Sequence, residues 1–234
     1  MTDCFRDLDL HIFDLDDTLI NTRRSYTAAQ AAAFDSAFPK TETAERNFHL
    51  ELLSWLCQRF GSGCPDQYFK AFIQCSQLSV ENERKILDTL VKAYHDVFHQ
   101  EIRPLEGAIA YLEALRSSRR KLAIVSNGLV DSQNGKISNT RLAPYFPKSA
   151  RFISESFPPS FRKPSPYMIS LACREMGTEK SDAVYYGNVL DDIVAGNLAG
   201  VTTVLVGKSA SEECVPHKIA EPHFRLESWK DVID

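Results

Sequence analysis

The stretch HIFDLDDTLI, residues 11–20, decides how the chain is read. It opens as a buried strand, sets Asp14, Asp16 and Asp17 within four positions, and returns to apolar residues. Carboxylates this close repel one another and lose hydration, so the arrangement calls for something that offsets their charge. Further short apolar strands follow at KLAIVSNG, ARFISES, DAVYYGN and TTVLVG, with helical periodicity between them. Such alternation implies parallel βαβ units with helices on both faces. The expected core is therefore α/β, a doubly wound, mainly parallel, Rossmann-like sheet.

Residues 21–102 interrupt the alternation. The segments YTAAQAAAFDSAF, ERNFHLELLSWLCQRF, PDQYFKAFIQCSQ and ENERKILDTLVKAYHDVFHQ carry apolar residues at three- and four-residue spacing, with a break at GSGCP (61–65). This is amphipathic helix periodicity. The reading is an α-helical cap domain, 21–102, inserted into a core of 1–20 and 103–234. Trp55, Phe60, Tyr68, Phe69 and Phe72 fall mostly on its inner face by spacing. In the core, PLEGAIAYLEALRSS predicts a helix with Pro104 in its first turn. VDSQNGKISNTRLAPYF reads as a helix, and PSPYMISLACREMG as one with Gly177 just past its end.

Composition narrows the function classes. With 234 residues, 44% hydrophobic and 25% charged, the chain suits a soluble protein of one large domain, or of a core domain plus a smaller insertion. The net charge of -4 gives no basic face for nucleic acid. The run Arg119-Arg120-Lys121 reads as a solvated helix end. No apolar run approaches the ~20 residues that span a bilayer, and the polar start MTDCFRDLDLH carries no export signal. Cys4, Cys57, Cys64, Cys75, Cys173 and Cys214 form no CxxC pair, which fits reduced, mostly buried thiols and a cytoplasmic protein. His95 and His99 share a helix face but lack a third ligand, so zinc is not expected.

Open parallel sheets bind ligands beyond the carboxyl ends of their strands. Here those ends carry Asp14 and Asp16, then Ser126, Asn127 and Gly128, then Lys163 in Arg162-Lys163-Pro164, then Asn188, Asp191 and Asp192. Each alone has an ordinary explanation: a capped turn, a tight turn, a surface lysine, first-turn helix acids. Their convergence points to a site. Carboxylates and a carboxamide suit a hard cation such as Mg²⁺. A lysine, a hydroxyl and loop N–H groups suit phosphate oxygens. One carboxylate can attack phosphorus, and a second can serve as general acid and base.

In this order the motifs resemble the four signatures of the haloacid dehalogenase-like (HAD) superfamily of hydrolases, over about residues 8 to 206. FDLDDTL places Asp14 at the nucleophile position, Asp16 at the acid/base position and Thr18 at the family's threonine. LAIVSNG supplies Ser126, RKPSPYMI supplies Lys163, and GNVLDDIVAGNLAG resembles the acidic fourth motif. The helical insertion is similar to the cap of the phosphoglycolate phosphatase branch, which selects substrate. True dehalogenases lack the second aspartate, so Asp16 favours phosphoryl transfer. Asn188 stands where the family usually has an acid and Val189 where it has Ser or Thr, which implies weakened magnesium binding.

The resemblance thus implies a magnesium-dependent phosphomonoester hydrolase acting on a small phosphorylated metabolite through an aspartyl-phosphate. Its catalytic residues would be Asp14, Asp16, Ser126 and Lys163, with Thr18, Asn127 and Gly128 binding substrate. Asp14, the Asp16 carbonyl, Asp192 and Asn188 would hold Mg²⁺. Arg23 and Arg24 are either hinge residues or contacts to an anionic substrate. The alternatives are a catalytically weakened binding protein of the same fold and a phosphomutase, with a dehalogenase disfavoured. A monomer or homodimer, with no nucleic-acid or membrane partner, is expected.

Overall fold

A computed structural model describes residues 5–61, 63–79, 81–207 and 218–233. The chain divides into two compact units, Met1–Asn21 with Arg103–Asp234, and Thr22–Ile102.

The first unit is built on six parallel strands: β1 (Leu10–Phe13), β2 (Lys121–Ser126), β3 (Arg151–Ile153), β4 (Ala183–Gly187), β5 (Thr202–Val206) and β6 (Phe224–Leu226). Their order across the sheet is β3-β2-β1-β4-β5-β6. β1 is central, with Phe13 in register with Ile124 on one side and Tyr186 on the other. All four β1 residues are buried, as a strand covered on both faces requires. Successive side chains alternate between the faces. Leu10 and Ile12 join Ala123, Val125 and Tyr185 in one apolar cluster. His11 and Phe13 belong to an aromatic layer on the other face, where Phe13 stacks on Tyr186 at 4.7 Å and Tyr111 on Trp229 at 5.2 Å.

Among the described residues this unit also holds the α-helices α5 (Ala108–Ser117), α6 (Val130–Asn139), α7 (Tyr167–Glu175) and α8 (Leu190–Ala199). Met168, Ile169, Ala172 and Cys173 of α7, with Ala195 and Ala199 of α8, pack on the Leu10–Ile12 face. Pro104 does not lie in a first helical turn. It bridges to Ile20, Leu105 N donates to the Leu19 carbonyl at 2.8 Å, and Arg103 N donates to Asn21 Oδ1 at 2.7 Å. This pairing keeps residues 103–105 extended and delays α5 until after Gly107, whose φ of 87° turns the chain. α6 is shorter than its sequence pattern, ending before Arg141 enters the left-handed region at φ 59°. β3 has three residues because a 3-10 turn takes over at Ser154–Ser156.

The second unit holds α1 (Thr22–Ala37), α2 (Thr43–Phe60), α3 (Pro65–Cys75) and α4 (Glu83–Glu101). Phe34, Leu53, Tyr68, Phe69, Phe72 and Leu90 are buried. Trp55 and Phe60 are not core: they are 52% and 43% exposed, and the Arg59 guanidinium lies 5.1 Å over the Trp55 ring. Among the described residues, no helix is long and apolar enough to cross a membrane. Cys57 and Cys173 are buried, Cys75 is exposed, and none of the three is in a disulfide. Cys4 and Cys214 lie outside the described residues.

Candidate active site

The carboxyl edge of the sheet gathers the polar residues. Asp14 follows β1, Ser126 ends β2, and Asn188 follows β4, three adjacent strands. Asp14 N donates to the Tyr186 carbonyl at 2.8 Å, so the β1–β4 ladder itself sets the aspartate's place.

Lys163 lies at the centre of the cluster and is almost fully buried. Its Nζ is 2.6 Å from Asp14 Oδ1, 2.7 Å from Asp192 Oδ1, 3.0 Å from Tyr185 Oη and 3.3 Å from the Val125 carbonyl. Burial alone would lower its pKa, but the Asp14 and Asp192 carboxylates override burial and hold it well above the ordinary lysine value. Asp14 is also pushed up, and here burial is the cause. Burial raises its carboxyl to about 7 against the pull of Lys163, and repulsion from Asp192 and Asp16 adds to the rise.

The loop that carries Lys163 is fastened by Asn127. Lys163 N donates to Asn127 Oδ1 at 3.0 Å, and Asn127 Nδ2 donates to the Lys163 carbonyl at 3.1 Å. Gly128 N donates to Ser154 Oγ at 3.0 Å. Thr18 Oγ1 lies 3.2 Å from Asp14 Oδ2 and 3.2 Å from Asn188 Oδ1. The three residues expected to touch substrate thus spend these groups on holding the site's own parts together.

Asp192, expected as a cation ligand, is fully buried and has its acceptor capacity taken up. Oδ1 meets Lys163 and the Tyr185 hydroxyl, which donates at 3.0 Å. Oδ2 accepts from Asn188 N at 3.1 Å and Val189 N at 3.3 Å, capping the start of α8. This close approach requires a glycine before it: a Cβ at Gly187 would lie 2.2 Å from Asp192 Cβ.

Sequence reasoning missed two residues. Gln133 Nε2 donates to Asp16 Oδ2 at 2.7 Å and to Ser126 Oγ at 2.7 Å. Lys136 Nζ is 2.7 Å from Asp16 Oδ1. Both side chains are buried, with Ile137 and the C-cap residue Thr140, on one stripe that runs along α6 at i, i+3, i+4 and i+7. That pattern was a usable signal, because a stripe turned toward a sheet does not ordinarily carry Gln and Lys.

The donor chemistry fits a hard cation in one place. Thr18 brings an Asp14 oxygen and the Asn188 carboxamide oxygen to a single hydroxyl, which has one hydrogen for the two acceptors. Among the described residues, no three His, Cys, Asp or Glu side chains gather as a metal-binding group. Beyond the Asp14 carboxylate, a cation here would therefore depend on carbonyl, carboxamide and non-protein oxygens, which suit Mg²⁺. With three carboxylates and two ammonium groups paired across it, the cluster carries a formal charge of −1.

Comparison with known proteins gives a consistent family. Residues 11–206 match the family described as haloacid dehalogenase-like hydrolase. The chain is 27% identical to a glyceraldehyde 3-phosphate phosphatase of Methanopyrus kandleri, covering 95% of this chain and 94% of that one. It is 26% identical to the pyrophosphatase PpaX of Bacillus pumilus, covering 95% and 93%. Among solved structures, Bacillus subtilis YfnB with magnesium bound superposes with a TM-score of 0.68 over 96% of each chain at 20% identity, a likeness of fold.

Proposed function

The chain belongs to the haloacid dehalogenase-like hydrolases, and from that premise we propose that it hydrolyses a small phosphomonoester through an aspartyl-phosphate on Asp14. One observation carries the reading. A buried carboxylate held at 2.6 Å by Lys163 stands two residues before a second carboxylate, at a sheet edge that also presents Ser126. The names of the relatives, a triose-phosphate phosphatase and a pyrophosphatase, support a small phosphorylated substrate.

In this reading an Asp14 oxygen attacks phosphorus and the bond from phosphorus to the leaving oxygen breaks. Asp16 gives that oxygen a proton, then takes one from the water that hydrolyses the aspartyl-phosphate. Lys163 and Ser126 would meet phosphate oxygens and offset charge growing in the transition state. The cluster's formal charge is −1 with Asp16 ionised and zero with Asp16 protonated to act as the acid, so a phosphate dianion meets no net positive charge there without a further cation. Asp14, Asn188 and the Asp16 carbonyl would hold Mg²⁺, with Asp192 supplying charge behind Lys163. The cation would neutralise phosphate charge and polarise the phosphorus.

The test is release of inorganic phosphate from a panel including glyceraldehyde 3-phosphate and pyrophosphate, across a magnesium titration, with Asp14→Asn as control. Turnover that needs magnesium and disappears in Asp14→Asn is the expected result. Folded protein that releases no phosphate from any member would support the binding-protein alternative, and an isomerised sugar phosphate without free phosphate would support the mutase.

A further inference from the structure

We infer that Gln133 and Lys136 of α6 are positioning residues for Asp16, clamping its carboxylate in the attitude from which it exchanges a proton with the leaving group. The inference rests on the phosphatase reading above. Asp16 is the one carboxylate of the cluster with substantial side-chain exposure, 28% against 7% for Asp14 and none for Asp192. An exposed aspartate at a loop would ordinarily sample several rotamers. Here each of its oxygens has its own buried donor: Oδ2 takes Gln133 Nε2 and Oδ1 takes Lys136 Nζ, both at 2.7 Å. The donors lie three residues apart on one helix, so a rigid element, and not the loop itself, sets the plane of the carboxylate. A carboxylate oxygen can accept two hydrogen bonds, so the clamp does not use up its capacity to meet a substrate oxygen.

The orientation of the Gln133 amide supports this role. Its Oε1 is buried and has no hydrogen-bond partner among the described residues. Turning the amide over would aim Oε1 at the Asp16 carboxylate, two acceptors 2.7 Å apart, and would leave Asp16 Oδ2 without this donor. The site thus accepts an orphaned acceptor in exchange for two donated bonds, one to Asp16 and one to Ser126. By donating to Ser126 Oγ, Gln133 also leaves the serine's own hydrogen to donate elsewhere. One side chain therefore ties the proton-exchanging group in the loop after β1 to the hydroxyl at the end of β2.

The clamp has a kinetic signature that a purely structural role lacks. Expelling an alkoxide needs a well-placed acid, while expelling p-nitrophenolate does not. The measurement is kcat/KM with magnesium for glycerol 3-phosphate and for p-nitrophenyl phosphate, in the wild type, Lys136→Met and Gln133→Leu, with Asp16→Asn as the benchmark. Each variant should lose on the order of 100-fold on the alkyl ester and less than about 3-fold on the aryl ester, following Asp16→Asn in kind. Equal losses on the two esters, or no loss on either, would overturn the clamp while leaving the phosphatase reading intact. If Lys136→Met fails to fold by circular dichroism, Gln133→Leu decides by the same ratio. A wild type inactive on every ester would remove the phosphatase reading and the clamp with it.

Discussion

Lys163 shows how the opening cluster of acids is tolerated. Two buried carboxylates, Asp14 and Asp192, share its ammonium, at 2.6 and 2.7 Å. Removing one partner of a buried ion pair leaves a charge with neither water nor counter-ion, which costs more than the pair gains. Lys163→Met should therefore abolish turnover and also lower stability by about 3 kcal/mol, read as a shift in the urea midpoint. Retained stability would mean that one of the carboxylates had protonated in compensation. Asn188→Asp probes the opposite side of the site. Its carboxylate would replace a carboxamide oxygen 3.2 Å from Thr18 Oγ1, beside Asp14. Without magnesium the added repulsion should lower Tm; with magnesium the added anionic ligand should tighten binding by about tenfold. Thermal melts in EDTA and across a magnesium series read both effects without any assay of turnover, and a variant indifferent to magnesium would remove Asn188 from the cation's ligands.

Elements were legible where one signal dominated. β1, β2, β4 and β5 were apolar runs ending in polar residues, and α7 and α8 ended at Gly177 and Gly200, at φ 61° and 80°. Signals failed where tertiary pairing overrode local preference. Pro104 reads as a helix start, yet its bridge to Ile20 keeps it extended. α6 reads as long, and its Gln133 and Lys136 went unnoticed because the acceptor they share, Asp16, follows β1 more than a hundred residues earlier in the chain. Trp229, at the far end of the chain, gave no signal at all, although its Nε1 donates to the Thr18 carbonyl at 2.7 Å and so supports the loop of the first motif. Trp229→Phe keeps the aromatic packing on Tyr111 and removes that bond. It should cost about 1 kcal/mol of stability, measured by urea unfolding. Gly187→Ala belongs to the β4–α8 junction. With a Cβ 2.2 Å from that of Asp192, the first turn of α8 must shift, at roughly 2 kcal/mol. Asp192 would move off Lys163 with it, so turnover should fall together with stability. Full activity in Gly187→Ala would show that the helix start can yield without disturbing the pair.

The acid response of the folded chain should be set in part by His11, in the aromatic layer beneath the site. Its ring is fully buried, with Nδ1 2.9 Å from the Tyr186 hydroxyl and Nε2 3.1 Å from the Leu8 carbonyl. The Tyr186 hydroxyl in turn lies 2.6 Å from that of Tyr111, so the imidazole belongs to a closed network with little room for a charge. Burial lowers its pKa from 6.5 to about 4; the Leu8 carbonyl opposes the shift, and Arg120 adds to it. A histidine depressed in the folded state is neutral above pH 6.5 in both states. As pH falls from 6.5 towards 4 the unfolded chain takes the proton first, so folded stability drains away through that window and levels off below it. The full loss is roughly 3 kcal/mol. Asp14 acts in the opposite sense. Its raised carboxyl binds a proton first in the folded state, so its contribution grows as pH falls from about 7 towards 3.8. The two effects overlap in the wild type's net curve, and a comparison with His11→Gln separates them. Urea unfolding at pH 7 and pH 4 should show the wild type losing roughly 3 kcal/mol more stability over that interval than the variant, whatever the variant's starting value. Parallel losses would mean that the buried imidazole takes up its proton without opening the fold, and that the tyrosine network accommodates the charge.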